Sequence, residues 1–123
     1  MILLGIEHED SSADIDWLCG KIVRLRVFDD EKGTMNLSIS DVHGEAMVVS
    51  QFTLHASTKK GNRPSYIRAA RPESAIPLYD EFVDKLSRVI GSQVKTGEFG
   101  AMMEISLVNQ GPVTIIIDSK TRE

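Results

Sequence analysis

The sequence predicts a single α/β domain, with a β-rich core of mixed sheet and two principal helices. Three observations carry that prediction. Two stretches place apolar residues at helical spacing, and several others are continuous or alternating apolar runs of the kind strands use. The 123 residues, 41% of them hydrophobic, suffice for one core and are short for two, so one domain is expected over residues 1–123.

Residues 1–6 read as an apolar strand that starts without the usual polar lead-in, so the chain is expected to begin inside an element. Ser11 or Ser12 caps a first helix whose Ile15, Leu18, Cys19, Ile22 and Leu25 share one face. Cys19 lies on that stripe and is expected in the core, because a buried thiol without basic neighbours is inert. Asp29-Asp30-Glu31-Lys32-Gly33 is a polar turn, after which Met35, Leu37 and Ile39 alternate with polar residues as in a half-buried strand. A second turn over 41–44 leads into residues 46–54, a nearly continuous apolar strand expected at the sheet centre and covered on both faces.

Residues 55–71 are polar, contain Gly61 and Pro64, and read as a long loop or short irregular helix, a segment type that commonly carries function. Ser74 is expected to cap the second helix with Pro77 at N3, and Ile76, Tyr79, Phe82, Val83, Leu86, Val89 and Ile90 form its core face. Gly91 stops that helix. Gly97 and Gly100 bracket Phe99 in a turn before a strand over 102–108. Gly111-Pro112 separates this strand from another over 113–117, and residues 118–123 are expected to be a solvated tail.

Composition narrows the function. The single cysteine excludes an internal disulfide, and His8, His43 and His55 are too scattered for metal-ligand spacing, so neither metal nor cofactor is expected. No apolar stretch approaches the roughly 18 residues of a membrane span and no basic region precedes a cleavage site, so a cytoplasmic protein without a membrane partner is expected. A net charge of −4 argues against an indiscriminate nucleic-acid binder. Yet Lys59, Lys60, Arg63, Arg68 and Arg71 cluster with no acid among them, as a solvated loop or as a phosphate-docking patch.

Two kinds of ester or amide chemistry fit the residues. In an extended strand Thr53 and His55 would share a face as nucleophile and base, but no carboxylate is placed by sequence to orient His55. Ser50 and Thr53 also read as strand-end hydroxyls that satisfy nearby backbone. The other kind needs no protein nucleophile: backbone N–H groups at the strand end hold a carbonyl and stabilise its oxyanion. Gly111-Pro112 suits such a site, since glycine admits close approach and proline fixes carbonyl direction, which can select the amino group of one enantiomer. Such a dipeptide equally marks an ordinary turn.

Ser50-Gln51-Phe52-Thr53-Leu54, Arg63-Pro64-Ser65, Thr96-Gly97-Glu98-Phe99 and Asn109-Gln110-Gly111-Pro112-Val113-Thr114, in this order and spacing, resemble the bacterial D-aminoacyl-tRNA deacylases. These enzymes hydrolyse the ester between a D-amino acid and tRNA, and the similarity runs from Ile2 to about Ile117. The resemblance implies a homodimer in which a cis Gly111-Pro112 enters the pocket of the second subunit as the chiral filter. It assigns ester positioning to Ser50, Gln51, Phe52 and Thr53, with the terminal ribose 2′-hydroxyl taking part. Phe99 and Met103, which otherwise read as core packing, would line the terminal adenosine site, with Asn109 in the same set; Lys59, Lys60 and Arg63 would meet the acceptor end of the D-aminoacyl-tRNA. Glycyl-tRNA is a further implied substrate. Family members begin with an additional strand pair, usually with an arginine near the start, whereas Met1-Ile2-Leu3-Leu4-Gly5 matches the middle of the pattern, so an amino-terminally truncated member is implied. A catalytically silent module that binds a tRNA end or a protein is the rival reading.

Overall fold

The computed structural model describes residues 1–111 and 113–122. In chain order the elements are β1 (Ile2–Leu4), α1 (Ser12–Arg24), β2 (Arg26–Asp29), β3 (Met35–Ser38), β4 (Met47–Ser50), a 3-10 helix (Phe52–His55), α2 (Pro72–Ile90) and β5 (Lys95–Thr96). The expected α/β class with mixed strand pairing is present. Parallel pairing builds a sheet in the order β1-β4-β5, and antiparallel pairing joins β2 to β3. In the parallel sheet Ile2, Leu3 and Leu4 lie opposite Val48, Val49 and Ser50, and Met47 and Val48 lie opposite Lys95 and Thr96.

Each helix starts on a local signal. The Asp14 carboxylate accepts from the Ser11 amide (2.9 Å) and the Ser11 hydroxyl (3.2 Å), which ties the residue before α1 to its first turn. For α2 the structure corrects the expected cap: Arg71 precedes the helix, and Pro72 occupies the first helical position, where its missing N–H has no intrahelical partner anyway. Pro77 therefore sits inside the helix, not at N3, and leaves the Glu73 carbonyl without its usual partner. Gly91, at φ 83°, ends the helix in the left-handed conformation that glycine favours.

The core forms where the helices meet β4. Cys19 of α1, Phe82 and Leu86 of α2, and Val48 of β4 are its most deeply buried side chains. Cys19 faces the Phe82 carbonyl, and burial pushes its thiol up to about 11, with Lys85 opposing and Asp16 adding to the shift. The thiol is a core group, as its place on the helical stripe implies. Val48 and Val49 are both buried, which makes β4 the doubly covered central strand.

Three expectations about extended structure are corrected. β4 stops at Ser50 and not at residue 54: β1 supplies its last acceptor when the Leu4 carbonyl takes the Gln51 amide (2.8 Å), and the chain then winds into the 3-10 helix. Residues 102–108 and 113–117 form no ladder among the described residues, and Met102, Val108 and Ile116 are almost fully exposed. Alternating, β-branched sequence fits a pleated surface but makes no strand without a neighbour to pair with. The tail is anchored: Lys120 Nζ reaches Asp10 and Asp14 at 3.2 Å each, and Arg122 lies over the Trp17 ring at 4.9 Å. Among the described residues no helix is long and apolar enough to cross a membrane.

Burial alone would push the Asp14 carboxyl up, but the Ser11 amide, Ser119, Lys120 and the Ser11 hydroxyl outweigh it and hold the pKa at about 2, below the ordinary 3.8. A carboxylate with a depressed pKa stabilises the fold fully above the unfolded value, and that contribution fades as pH falls from about 4 through about 2. Asp14→Asn is expected to destabilise the protein at neutral pH by about 0.5–2 kcal/mol. Between those acidic limits the variant should lose less further stability than the wild type, as read from urea midpoints.

Candidate active site

At the end of β4 the backbone runs out of partners. Gln51, at φ −145° and ψ 83°, turns the chain out of the strand. The Leu54 amide donates to the Gln51 carbonyl (3.2 Å) and the Ala56 amide to the Thr53 carbonyl (3.1 Å). Among the described residues the amides of Phe52 and Thr53 donate to no acceptor, as the first N–H groups of a helical turn do. Two consecutive free donors at the end of a rigid strand are the arrangement that stabilises a developing oxyanion.

The side chains there argue against a threonine nucleophile. Gln51 Nε2 donates to Thr53 Oγ1 (2.5 Å), while His55 Nδ1 faces the Glu7 carboxylate at 3.3 Å. Because the chain leaves the strand at Ser50, Thr53 and His55 do not share a strand face, so the nucleophile-base alternative does not form and the disfavour it met in the sequence stands. A carboxylate does orient His55 after all. Glu7 lies just past β1 in sequence and reaches His55 only through the fold; the local hint is Gly5, where a Cβ would come within 2.8 Å of His55 Nε2.

Glu7 also organises the long loop after the 3-10 helix. Arg68 donates to Glu7 Oε1 through Nη2 (2.6 Å) and Nε (2.8 Å), and the Ala70 amide donates to the Ile6 carbonyl (2.8 Å). Ser57 and Ser65 exchange two backbone hydrogen bonds (2.8 and 2.9 Å), closing a tip that carries exposed Lys59, Lys60 and Arg63, with Gly61 at φ 71°. Among the described residues, ion pairs engage Arg68, Lys85, Lys95 and Lys120 but none of the three tip cations. The basic run is thus divided among one structural arginine, Arg71 at the start of α2 and a free tip.

Phe99 packs edge-on against Tyr79, with ring centroids 5.5 Å apart, in the wall of an open hollow of about 570 Å³ that Asp80, Asp84 and Glu98 also line. Met103 lies across Gly97, where any Cβ would collide with its sulfur, and lines a second hollow of about 290 Å³ with Met47 and Val49. These hollows share Thr96, Gly97 and Glu98, so β5 and its turn separate the two expected substrate-binding residues. Neither hollow includes Ser50, Gln51, Phe52 or Thr53; the link to the strand end is the Tyr79 hydroxyl, which donates to the Val48 carbonyl (2.9 Å). Asn109 and Gly111 are exposed. Pro112, and with it the expected cis bond, lies outside the described residues.

The D-Tyr-tRNA(Tyr) deacylase family pattern matches residues 1–118. All 123 residues align at 65% identity with a D-aminoacyl-tRNA deacylase of Bacteroides fragilis, covering 82% of that protein. A D-aminoacyl-tRNA deacylase of Flavobacterium johnsoniae is 58% identical over the same share of each chain. Among solved structures, one described as a c-Myc DNA unwinding element binding protein is 40% identical, with a TM-score of 0.85 over 92% of this chain and 76% of its own. Another, described as a probable eukaryotic D-amino acid tRNA deacylase, shares the fold at 14% identity and a TM-score of 0.76, over 89% of this chain and 79% of its own.

Glu7→Gln keeps the shape of the side chain and removes the charge facing Arg68 and His55. Because Arg68 is largely exposed, the expected loss of global stability is only about 0.2–1 kcal/mol. Limited proteolysis within residues 56–71 should nevertheless accelerate clearly; unchanged cleavage there would show that Glu7 does not hold the loop.

Proposed function

The chain belongs to the D-Tyr-tRNA(Tyr) deacylase family, and from that membership we propose that it hydrolyses the ester bond of D-aminoacyl-tRNA, releasing a free D-amino acid and tRNA. The observation that carries this reading at the level of chemistry is the pair of unpartnered amides of Phe52 and Thr53. In the proposed reaction water adds to the ester carbonyl, and those two N–H groups hold the oxyanion of the tetrahedral intermediate. The bond to the ribose oxygen then breaks, and that oxygen leaves with a proton as the tRNA hydroxyl. The neighbouring 2′-hydroxyl is the substrate group placed to orient the water. Ser50, Gln51, Phe52 and Thr53 position the ester, and Thr53, its hydroxyl held by Gln51, is not the nucleophile.

Chiral selection in this reading comes from Gly111 and Pro112 of a second copy, with Asn109 beside them, so the working form is a homodimer. The exposed side chains of Met102, Leu107, Val108, Ile115 and Ile116 support it, since apolar surface of that extent marks an interaction site. Phe99 and Met103 flank the terminal adenosine, and Lys59, Lys60 and Arg63 meet phosphates of the acceptor end. Glycyl-tRNA is accepted because glycine has no side chain to reject, and the enzyme works in the cytoplasm, where charged tRNA is found. The rival is binding without turnover, for which the name of the 40% identical structural neighbour is the only support.

Matched D- and L-tyrosyl-tRNA esters decide between them: hydrolysis of the D ester alone is expected, and no hydrolysis of either would leave only binding. Thr53→Ala should reduce turnover by no more than the 10²–10³ or so typical of one oxyanion donor, far from the roughly 10⁶ lost with a covalent nucleophile. An acyl-enzyme trapped on Thr53 would overturn the mechanism. Neutralising Lys59, Lys60 and Arg63 together should reduce the salt slope of tRNA binding by about 2 to 3, and an unchanged slope would remove them from the interface.

A further inference from the structure

At the base of the cationic tip two aromatic rings meet in the open. Phe52 and Tyr66 contact edge to face with centroids 5.0 Å apart and ring planes at 78°, and they are 55% and 39% exposed. Ile67 beside them is 82% exposed. Tyr66 directly follows Ser65, which closes the tip by its paired hydrogen bonds to Ser57, so Arg63 lies three residues away, at most about 11 Å along an extended backbone. A perpendicular pair leaves a right-angled aromatic corner, in which a flat ring can stack on one face while its edge abuts the other ring. Flat rings joined by a polyanionic backbone are single-stranded nucleic acid, and aromatic platforms beside free Lys and Arg are how proteins hold it. Charge favours this occupant over an apolar protein segment: the chain carries a net −4 and Glu7 engages Arg68, yet the tip cations Lys59, Lys60 and Arg63 have no carboxylate partner among the described residues.

We propose that Tyr66, backed by Phe52, is a stacking platform for a base of the unpaired 3′ tail of tRNA upstream of the terminal adenosine, with Lys59, Lys60 and Arg63 on the adjoining phosphates. This deepens the deacylase reading and rests on it. The Tyr66 ring adds affinity for a polynucleotide and takes no part in the bond cleavage, which uses the backbone of Phe52, so it acts on long substrates and not on the minimal ester.

Tyr66→Leu preserves an apolar contact for Phe52 but has no π face, and Tyr66→Trp enlarges the platform. With D-tyrosyl-tRNA, Tyr66→Leu is expected to raise KM about 5- to 150-fold at nearly constant kcat, the range of one base–aromatic stack, and Tyr66→Trp to keep wild-type KM. With D-tyrosyl-adenosine, which lacks the tail, the Leu variant should stay within about twofold of wild type. Equal losses on both esters, or dissociation of a dimer by Tyr66→Leu, would overturn the proposal and make Tyr66 a support of Phe52 or of a contact between copies. Unchanged kinetics on both would overturn it as well. If the wild type hydrolyses neither ester, the deacylase reading falls by itself, and anisotropy of a labelled acceptor-stem oligonucleotide with and without its unpaired tail still decides the platform.

Discussion

The geometry of the candidate site depends on how β4 is held. It pairs with β1 on one edge and β5 on the other, buries Val48 and Val49, and receives the Tyr79 hydroxyl on the Val48 carbonyl. A strand fixed on both edges and covered by a helix cannot shift register without inverting which residues face the core. Its last residue, Ser50, is therefore placed by the whole fold and not by local preference. Tyr79 extends the same constraint outward, because its ring also carries Phe99.

The turn beyond Ser50 is the consequence of a finite partner. β1 is only three residues long, and once the Leu4 carbonyl has accepted the Gln51 amide there is no ladder to continue. The chain tightens into a 3-10 turn, and such a turn leaves its first donors free. The unpartnered amides are thus a by-product of strand length. In a longer β1 the strand would continue, and the Thr53 amide, on the same edge as that of Gln51, would meet a β1 carbonyl.

Charge is distributed by the same logic. Glu7, just beyond β1, captures Arg68 and faces His55, so one carboxylate fastens the long loop to the strand end. With Arg68 engaged, the cations of the run left without an ion pair among the described residues are Arg71, which precedes α2, and those at the tip, displayed by the Ser57 and Ser65 pairing. An acidic protein can in this way present a confined positive surface. The field of the distant acidic residues is screened over a Debye length of roughly 8 Å at physiological salt, so the potential at the tip is set by the charges nearest it.

The sequence by itself determined the class, the inert Cys19, the membership of the family and most of the faces of both helices, because each derives from period, burial preference or motif order along the chain; Ile76 and Val89, expected on the core face of α2, are exposed at its margins. It also marked β4 as central, since residues covered on both faces must be continuously apolar. Only the tertiary structure decided where β4 ends, since that depends on the length of β1, nearly fifty residues upstream. Likewise Glu7 meets His55 and Arg68, and Lys120 meets Asp10 and Asp14, through pairings that local sequence does not encode. Residues 102–108 and 113–117 show the converse limit: their apolar alternation is legible as strand propensity, but a strand exists only where another backbone accepts its hydrogen bonds.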